Sequence, residues 1–240
     1  MKRLLISGEG VTDCGVQEFG TQDWLEGPVQ AYIRDILVDE DIEIISISKR
    51  DVFKSRRSKK QKKASSKLSG HADKAFKLCL KAESLNIDHV LCYVDSDFDR
   101  SAKTKELSIR RSFENNYTEI QAGYSAYSDD RDENSIPVVP ATMIESWLLG
   151  DPDSFLSLFG SYPSNPTLPS KPEYLWGQDN NPDSDYPKNV LKRVLDQFDQ
   201  EPNRELFNEI ASSSSIGHLR ENCPLSFERF YKDLTRIIKI

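Results

Sequence analysis

Cysteine and histidine are scarce: the 240 residues hold four of the first and three of the second. Cys14, Cys79, Cys92 and Cys223 form no C-x-x-C pair, and His71, His89 and His218 stand apart. Neither a disulfide framework nor a zinc cluster is expected from that spacing, and the cysteines read as reduced and structural. Long apolar runs are missing too. The N-terminal MKRLLISGEG has two basic residues, but Ser7, Gly8 and Glu9 break its apolar run, and no uninterrupted stretch of spanning length follows. A cytoplasmic location is the expectation. No internal repeat is visible. What remains is ordinary for a globular chain, 37% hydrophobic and 30% charged, with room for one large domain or a core plus an annex.

Charge is distributed unevenly. Residues 49–67, KRDVFKSRRSKKQKKASSK, hold ten Lys or Arg against the single Asp51, a local +9 that leaves −16 on the rest beneath the overall −7. A concentrated cationic segment on an acidic body suits a polyanion, and Arg56, Arg57, Lys59, Lys60, Lys62 and Lys63 are the nucleic-acid-binding candidates. The alternative is a solvated loop kept soluble by its charge. Position beside the acids described next favours the polyanion.

Four short, β-branched runs bounded by charge, Gly or Pro read as buried strands: 3–7, 42–47, 89–94 and 136–139. Segments of helical spacing lie between them at 24–38, 72–85 and 103–117. This alternation predicts an α/β fold, a mainly parallel central sheet flanked by helices. After Pro140 come the helix-like MIESWLLG and DPDSFLSLFG, where Asp151 caps a helix with Pro152 in its first turn. Residues 161–187, rich in Pro, Ser, Asn and Asp, predict an irregular connection. Helices at 187–198, 205–210 and 227–238 close the chain. The expected division is an α/β core over 1–150 and a helical extension over 151–240 packed on it.

Ligands of parallel sheets gather at the carboxyl ends of the strands. The first predicted strand runs into Gly8-Glu9-Gly10-Val11-Thr12-Asp13 and the third into Asp95-Ser96-Asp97-Phe98-Asp99. If those strands are neighbours, Glu9 and Asp95 face one another. Two like charges about 4 Å apart repel by roughly 4 kcal/mol at an effective dielectric near 20, so a cation or proton is required. All-oxygen donors suit Mg²⁺ or Mn²⁺, one or two ions. Three other readings compete. An EF-hand loop in DSDFDRSAKTKE, ending at Glu106, has Arg100 where the sharp turn wants Gly. Asp99 has an equal claim as a helix cap. A receiver-type phosphorylation site wants a Lys after a fifth strand, and none is visible.

These motifs resemble those of the Toprim domain: LLISGEGVTD is similar to its strand ending in Glu-Gly, and CYVDSDFDR to its D-x-D motif. The Glu-Gly-x-Thr-Asp run, the segment IPVVPATMIESWLLGDPDSF, and PKNVLKRVL with LRENCPLSFERFYKDL resemble small stand-alone Toprim-like proteins of bacterial defence islands, akin to the Toprim half of OLD (overcoming lysogenization defect) nucleases. Asp13 stands where that group's pattern has Glu. The resemblance implies a Mg²⁺- or Mn²⁺-dependent nuclease cutting DNA or RNA, often beside an ABC-type ATPase. It implies metal ligation by Glu9, Asp13, Asp95, Asp97 and Glu145, and catalytic parts for Glu9, Asp95 and Lys188. For Glu145 the competing account is an amphipathic helix position beside buried Trp147, and for Lys188 a helix-start surface residue. From another class, the alternative is a non-catalytic Toprim-like module that docks on a partner ATPase.

Overall fold

Strand propensity and topology together place the candidate site. The computed structural model describes residues 1–21, 23–54, 61, 65–96, 104–128 and 133–238. A four-stranded parallel sheet forms from β1 (Lys2–Ser7), β4 (Ile42–Ser46), β5 (His89–Tyr93) and β6 (Ser135–Val138), in the order β4-β1-β5-β6. Each lies within about a residue of a run read from β-branched composition. The chain leaves β1 for β4 on one side, then crosses back to β5 on the other. That reversal opens a crevice at the carboxyl ends of β1 and β5, where doubly wound sheets bind their ligands. Ser7 is in register with Cys92, so Glu9 and Asp95 leave adjacent strands at nearly the same level.

Alternating side chains split the core into two layers. On one face Leu4, Ile6, Leu91, Tyr93, Ile136 and Val138 pack with α1 (Pro28–Ile36) and the C-terminal helices. On the other, Leu5, Val90 and Cys92 pack with α3 (Gly70–Ser84) and α4 (Lys105–Tyr127). Each such buried aliphatic contributes about 1.5–3 kcal/mol of transfer free energy, which fixes the register. The C-terminal helices are α5 (Ile144–Leu148), α6 (Pro152–Phe159), α7 (Pro187–Asp196), α8 (Arg204–Ser212), α9 (Ile216–Asn222) and α10 (Phe227–Ile238). They share the first cluster rather than forming one of their own. All four cysteines are buried, and no disulfide joins them. No helix among the described residues is long and apolar enough to cross a membrane.

Several boundaries differ from expectation for identifiable reasons. The first helix starts at Pro28, not Trp24: a residue before proline is biased out of the helical region, and Trp24–Leu25 instead pairs as β3 with β2 (Val16–Gln17). Within the basic segment Ser48 caps a short α2 (Lys49–Phe53) by accepting a hydrogen bond from the Asp51 amide. Helix α4 runs ten residues past Tyr117 because Ile120, Gly123 and Tyr124 continue its buried face. Residues 161–187 are irregular apart from a 3₁₀ turn at Pro172–Tyr174.

Candidate metal and phosphate site at the strand ends

The loop after β1 is folded tightly by glycines. A Cβ on Gly10 would overlap the Asp13 carboxylate, and one on Gly27 would overlap the Asp13 backbone. Only glycine permits those approaches. The loop is then pinned to α1: the Val29 amide donates to the Asp13 carbonyl at 3.1 Å. Trp24 Nε1 and Gln30 Nε2 both donate to the Cys14 carbonyl, at 2.8 and 2.6 Å. Asp13 is thereby buried at the strand end, with Thr12 Oγ1 donating to its carboxylate at 2.9 Å.

Three further segments meet this loop. Asp95 follows β5 and accepts a 2.6 Å hydrogen bond from the Tyr93 hydroxyl. Glu145 projects from the first turn of α5, a helix anchored by Trp147 among Tyr32, Phe227 and Phe230. Lys188 is the second residue of α7, and its ammonium is held in the field of Glu145, Asp95 and Asp13. Behind them Glu173 accepts from the Leu225 and Ser226 amides, both at 2.7 Å, and Ser226 Oγ in turn accepts from Trp147 Nε1 at 2.8 Å.

These groups act on one another electrostatically. Burial, then the charge of Asp13, raises the Asp95 carboxyl to about 7 against the opposing effects of Tyr93 and Lys188. Burial raises Glu145 to about 8, with Lys188 opposing and Asp13 and Asp95 adding to the rise. Asp13 is raised as well, chiefly by burial, while Thr12 and Lys188 offset part of it. Glu9 is the exception. Burial would raise it, but the charges of Lys74 and Lys49 outweigh that and hold it below the ordinary carboxylate range. Lys49 Nζ lies 3.3 Å and Lys74 Nζ 3.6 Å from Glu9 Oε1. The strand-end acids thus lie in a poorly solvated crevice, each within reach of the others' charge.

Among the described residues Glu145 Oε2 is one of several buried side-chain polar atoms with no hydrogen-bond partner, Ser7 Oγ and Ser96 Oγ at the same strand ends being others. Ionising a buried carboxyl that has no donor is costly, and a cation would remove the cost. The donors around it are all oxygens, which fits a hard divalent ion.

The structure brings together Glu9, Asp13, Asp95, Glu145 and Lys188. Asp97, Asp99, Arg56, Arg57, Lys59, Lys60, Lys62 and Lys63 lie outside the described residues. Lys74 was not foreseen. Only 1% exposed, it donates from Nζ to the Tyr93 carbonyl at 2.7 Å. Its signal was its position one turn before Leu78, on the apolar stripe of α3, where a solvated lysine does not belong. Tyr93 was missed because no pattern singled it out, and Lys49 lay within the basic segment 49–67 without being named among its nucleic-acid-binding candidates.

A second group was also unforeseen. Among the described residues, Asp151, Asp153 and His218 are the trio of metal-ligating types whose ligand atoms all lie within 4.8 Å of one another. The histidine that stands apart in sequence is thus brought 2.9 Å from Asp151 and 3.6 Å from Asp153. The strand-end acids are spaced more widely. No protein-family model, curated protein or solved structure matches the chain.

Proposed function

We propose that the protein is a Toprim-like, metal-dependent nuclease that hydrolyses phosphodiester bonds in DNA or RNA, acting in anti-phage defence with an ABC-type ATPase partner. The observation that carries the reading is the convergence of Asp13, Asp95 and Glu145, from three separate segments, around a buried carboxylate oxygen that has no donor. The defence role and the ATPase follow from the motif resemblance alone.

Asp13, Asp95 and Glu145, with Glu9 at the rim, are the residues that would hold Mg²⁺ or Mn²⁺. Bound there, such an ion activates water and neutralises the charge of the departing oxygen. The chain's own contributions are distinct. Glu9, ionised at neutral pH by Lys74 and Lys49, is placed to orient the attacking water. Tyr93 fixes the rotamer of Asp95 through its hydroxyl. Lys188, exposed at the start of α7, offers a positive charge to a phosphate oxygen and steadies the charge that builds on it.

Incubation of the purified protein with plasmid, single-stranded DNA and tRNA, in Mg²⁺, Mn²⁺ or EDTA, tests the reading. Cleavage is expected only with the ion, and is expected to vanish in Glu9→Ala and Asp95→Ala while circular dichroism stays unchanged. Cutting that persists in EDTA, or in both variants, defeats the proposal. So does the absence of cutting both alone and with the partner ATPase, which would favour a docking module.

A further inference from the structure

Glu9 stands between two hollows, and the larger is built for something specific. A cavity of about 540 Å³ opens between α2 and the start of α3, within the roughly 300–1,000 Å³ range of small-molecule sites. Its wall carries Lys49, Lys74 and His71, with Ser65 and Ser69 beside them and Phe53 at one side. The acids on the wall do not cancel these cations. Asp73 is paired with Lys77 at 2.9 Å, and Glu9 faces two lysines. A lysine ammonium has three donors. For Lys74 the Tyr93 carbonyl accepts one of them and Glu9 Oε1 lies 3.6 Å away as an ion-pair partner, which leaves donor capacity for a ligand oxygen.

Phe53 is the second, independent observation. Helix α2 is held to the core by Val52, which is fully buried, whereas Phe53 keeps 43% of its surface in solvent. Folding does not call for an aromatic ring there. The Lys77 ammonium sits 4.3 Å from the ring centroid, an arrangement that orders the ring and adds positive charge beside it. Cations that fit a phosphate, next to a solvent-facing aromatic ring, are the two halves of a single-strand-binding subsite.

We infer that this cavity seats one unpaired nucleotide adjoining the scissile phosphate, its phosphate against Lys49 and Lys74 and its base stacked on Phe53. The assignment rests on the nuclease reading for its role, since Glu9 forms the shared wall, but binding is measurable without cleavage. The subsite reads no base edges, so it is tolerant of sequence. Stacking on Phe53 demands an unpaired base, so a single strand is preferred to a duplex of the same sequence.

The test is fluorescence anisotropy of a fluorescein-labelled single-stranded decadeoxynucleotide in EDTA, across a salt series, with the matching duplex as a second probe. Phe53→Ala is expected to weaken single-strand binding about 5- to 100-fold and to erase the preference over duplex, while Phe53→Trp retains both. Lys49→Ala is expected to weaken binding and to flatten the dependence of log K on log salt by about 0.7. Three results overturn the inference: wild type that does not bind the decamer, Phe53→Ala and Lys49→Ala that bind within twofold of wild type, or Phe53→Trp as weak as Phe53→Ala. Cleavage with Mn²⁺ is scored separately. Ring-dependent binding without any cleavage sinks the nuclease reading and leaves the subsite standing; cleavage indifferent to Phe53 and Lys49 does the reverse.

Discussion

Replacing Glu145 by glutamine exposes the cost of the metal-free site. The Glu145 carboxyl sits at about 8 in the folded protein against an ordinary 4.5. Its folded-state pKa is raised, so the folded protein holds this proton where the unfolded chain has released it. Relative to a neutral side chain, Glu145 costs nothing below about pH 4.5, and the penalty grows as pH rises towards 8. The ceiling is on the order of 5 kcal/mol, reached above pH 8. A buried amide is not free of cost, since one of its groups will lack a partner, for about 1–3 kcal/mol. Glu145→Gln is therefore expected to be destabilised at pH 5 and equal to or more stable than wild type at pH 8.5, in EDTA. Urea midpoints at the two pH values measure it. Adding Mn²⁺ at pH 8.5 is expected to stabilise wild type and to leave the variant unmoved, because ion binding requires the carboxylate. Parallel pH profiles for the two proteins in EDTA would refute the claim that this carboxyl is crowded and poorly solvated.

Other perturbations probe the parts around it. Glu173→Ala strands the Leu225, Ser226 and Phe227 amides that its carboxylate accepts; a loss of about 3–5 kcal/mol in urea unfolding is expected. Gly10→Ala drives a methyl group into the Asp13 carboxylate, so Mn²⁺ binding by calorimetry is expected to weaken at least about tenfold, or 1.4 kcal/mol, with a native circular dichroism spectrum. His218 is raised above its ordinary 6.5 by its hydrogen bond to Asp151. Its contribution is full below pH 6.5 and fades as pH rises through the folded value. Its side chain is 45% exposed, which keeps the contribution small. His218→Gln is thus expected to cost about 0.5 kcal/mol at pH 5.5 and nothing measurable at pH 9, read from paired urea curves.

The sheet was legible because its strands are short β-branched runs ended by charge or glycine. Adjacency of the first and third runs was only a condition in the sequence, and the order β4-β1-β5-β6 meets it. The hairpin of Val16–Gln17 and Trp24–Leu25 was not legible: two-residue strands carry no periodicity, and Trp24 reads equally well as the start of an apolar helix face. Helix α9 escaped for a related reason. It is seven residues long, with Leu219 as its single buried side chain. Lys74 shows a different limit. Its burial is a tertiary event, created when α3 packs its stripe across the ends of β1 and β5, and residue type alone argues the opposite.

Proximity alone favours a different group from the one proposed. Asp151, Asp153 and His218 are the tighter group, yet their oxygens are already engaged. Asp151 Oδ1 accepts from the Asp153 amide at 3.1 Å and pairs with His218 at 2.9 Å, while its Oδ2 accepts from the Ser215 amide at 2.7 Å. Asp153 Oδ1 accepts from the Tyr162 hydroxyl at 2.9 Å. These bonds cap α6 and tie it to the start of α9, so an ion would have to displace helix caps worth about 1 kcal/mol each. The carboxyls of Asp95 and Glu145 are raised chiefly by burial, with the neighbouring acids adding to the rise. Unused lone pairs, not short distances, are what favour the strand-end acids in the proposed reading. Manganese titrations of Glu145→Gln and His218→Gln separate the two. Loss of binding in the first and retention in the second is expected, and the opposite pattern would move the site to α6 and α9.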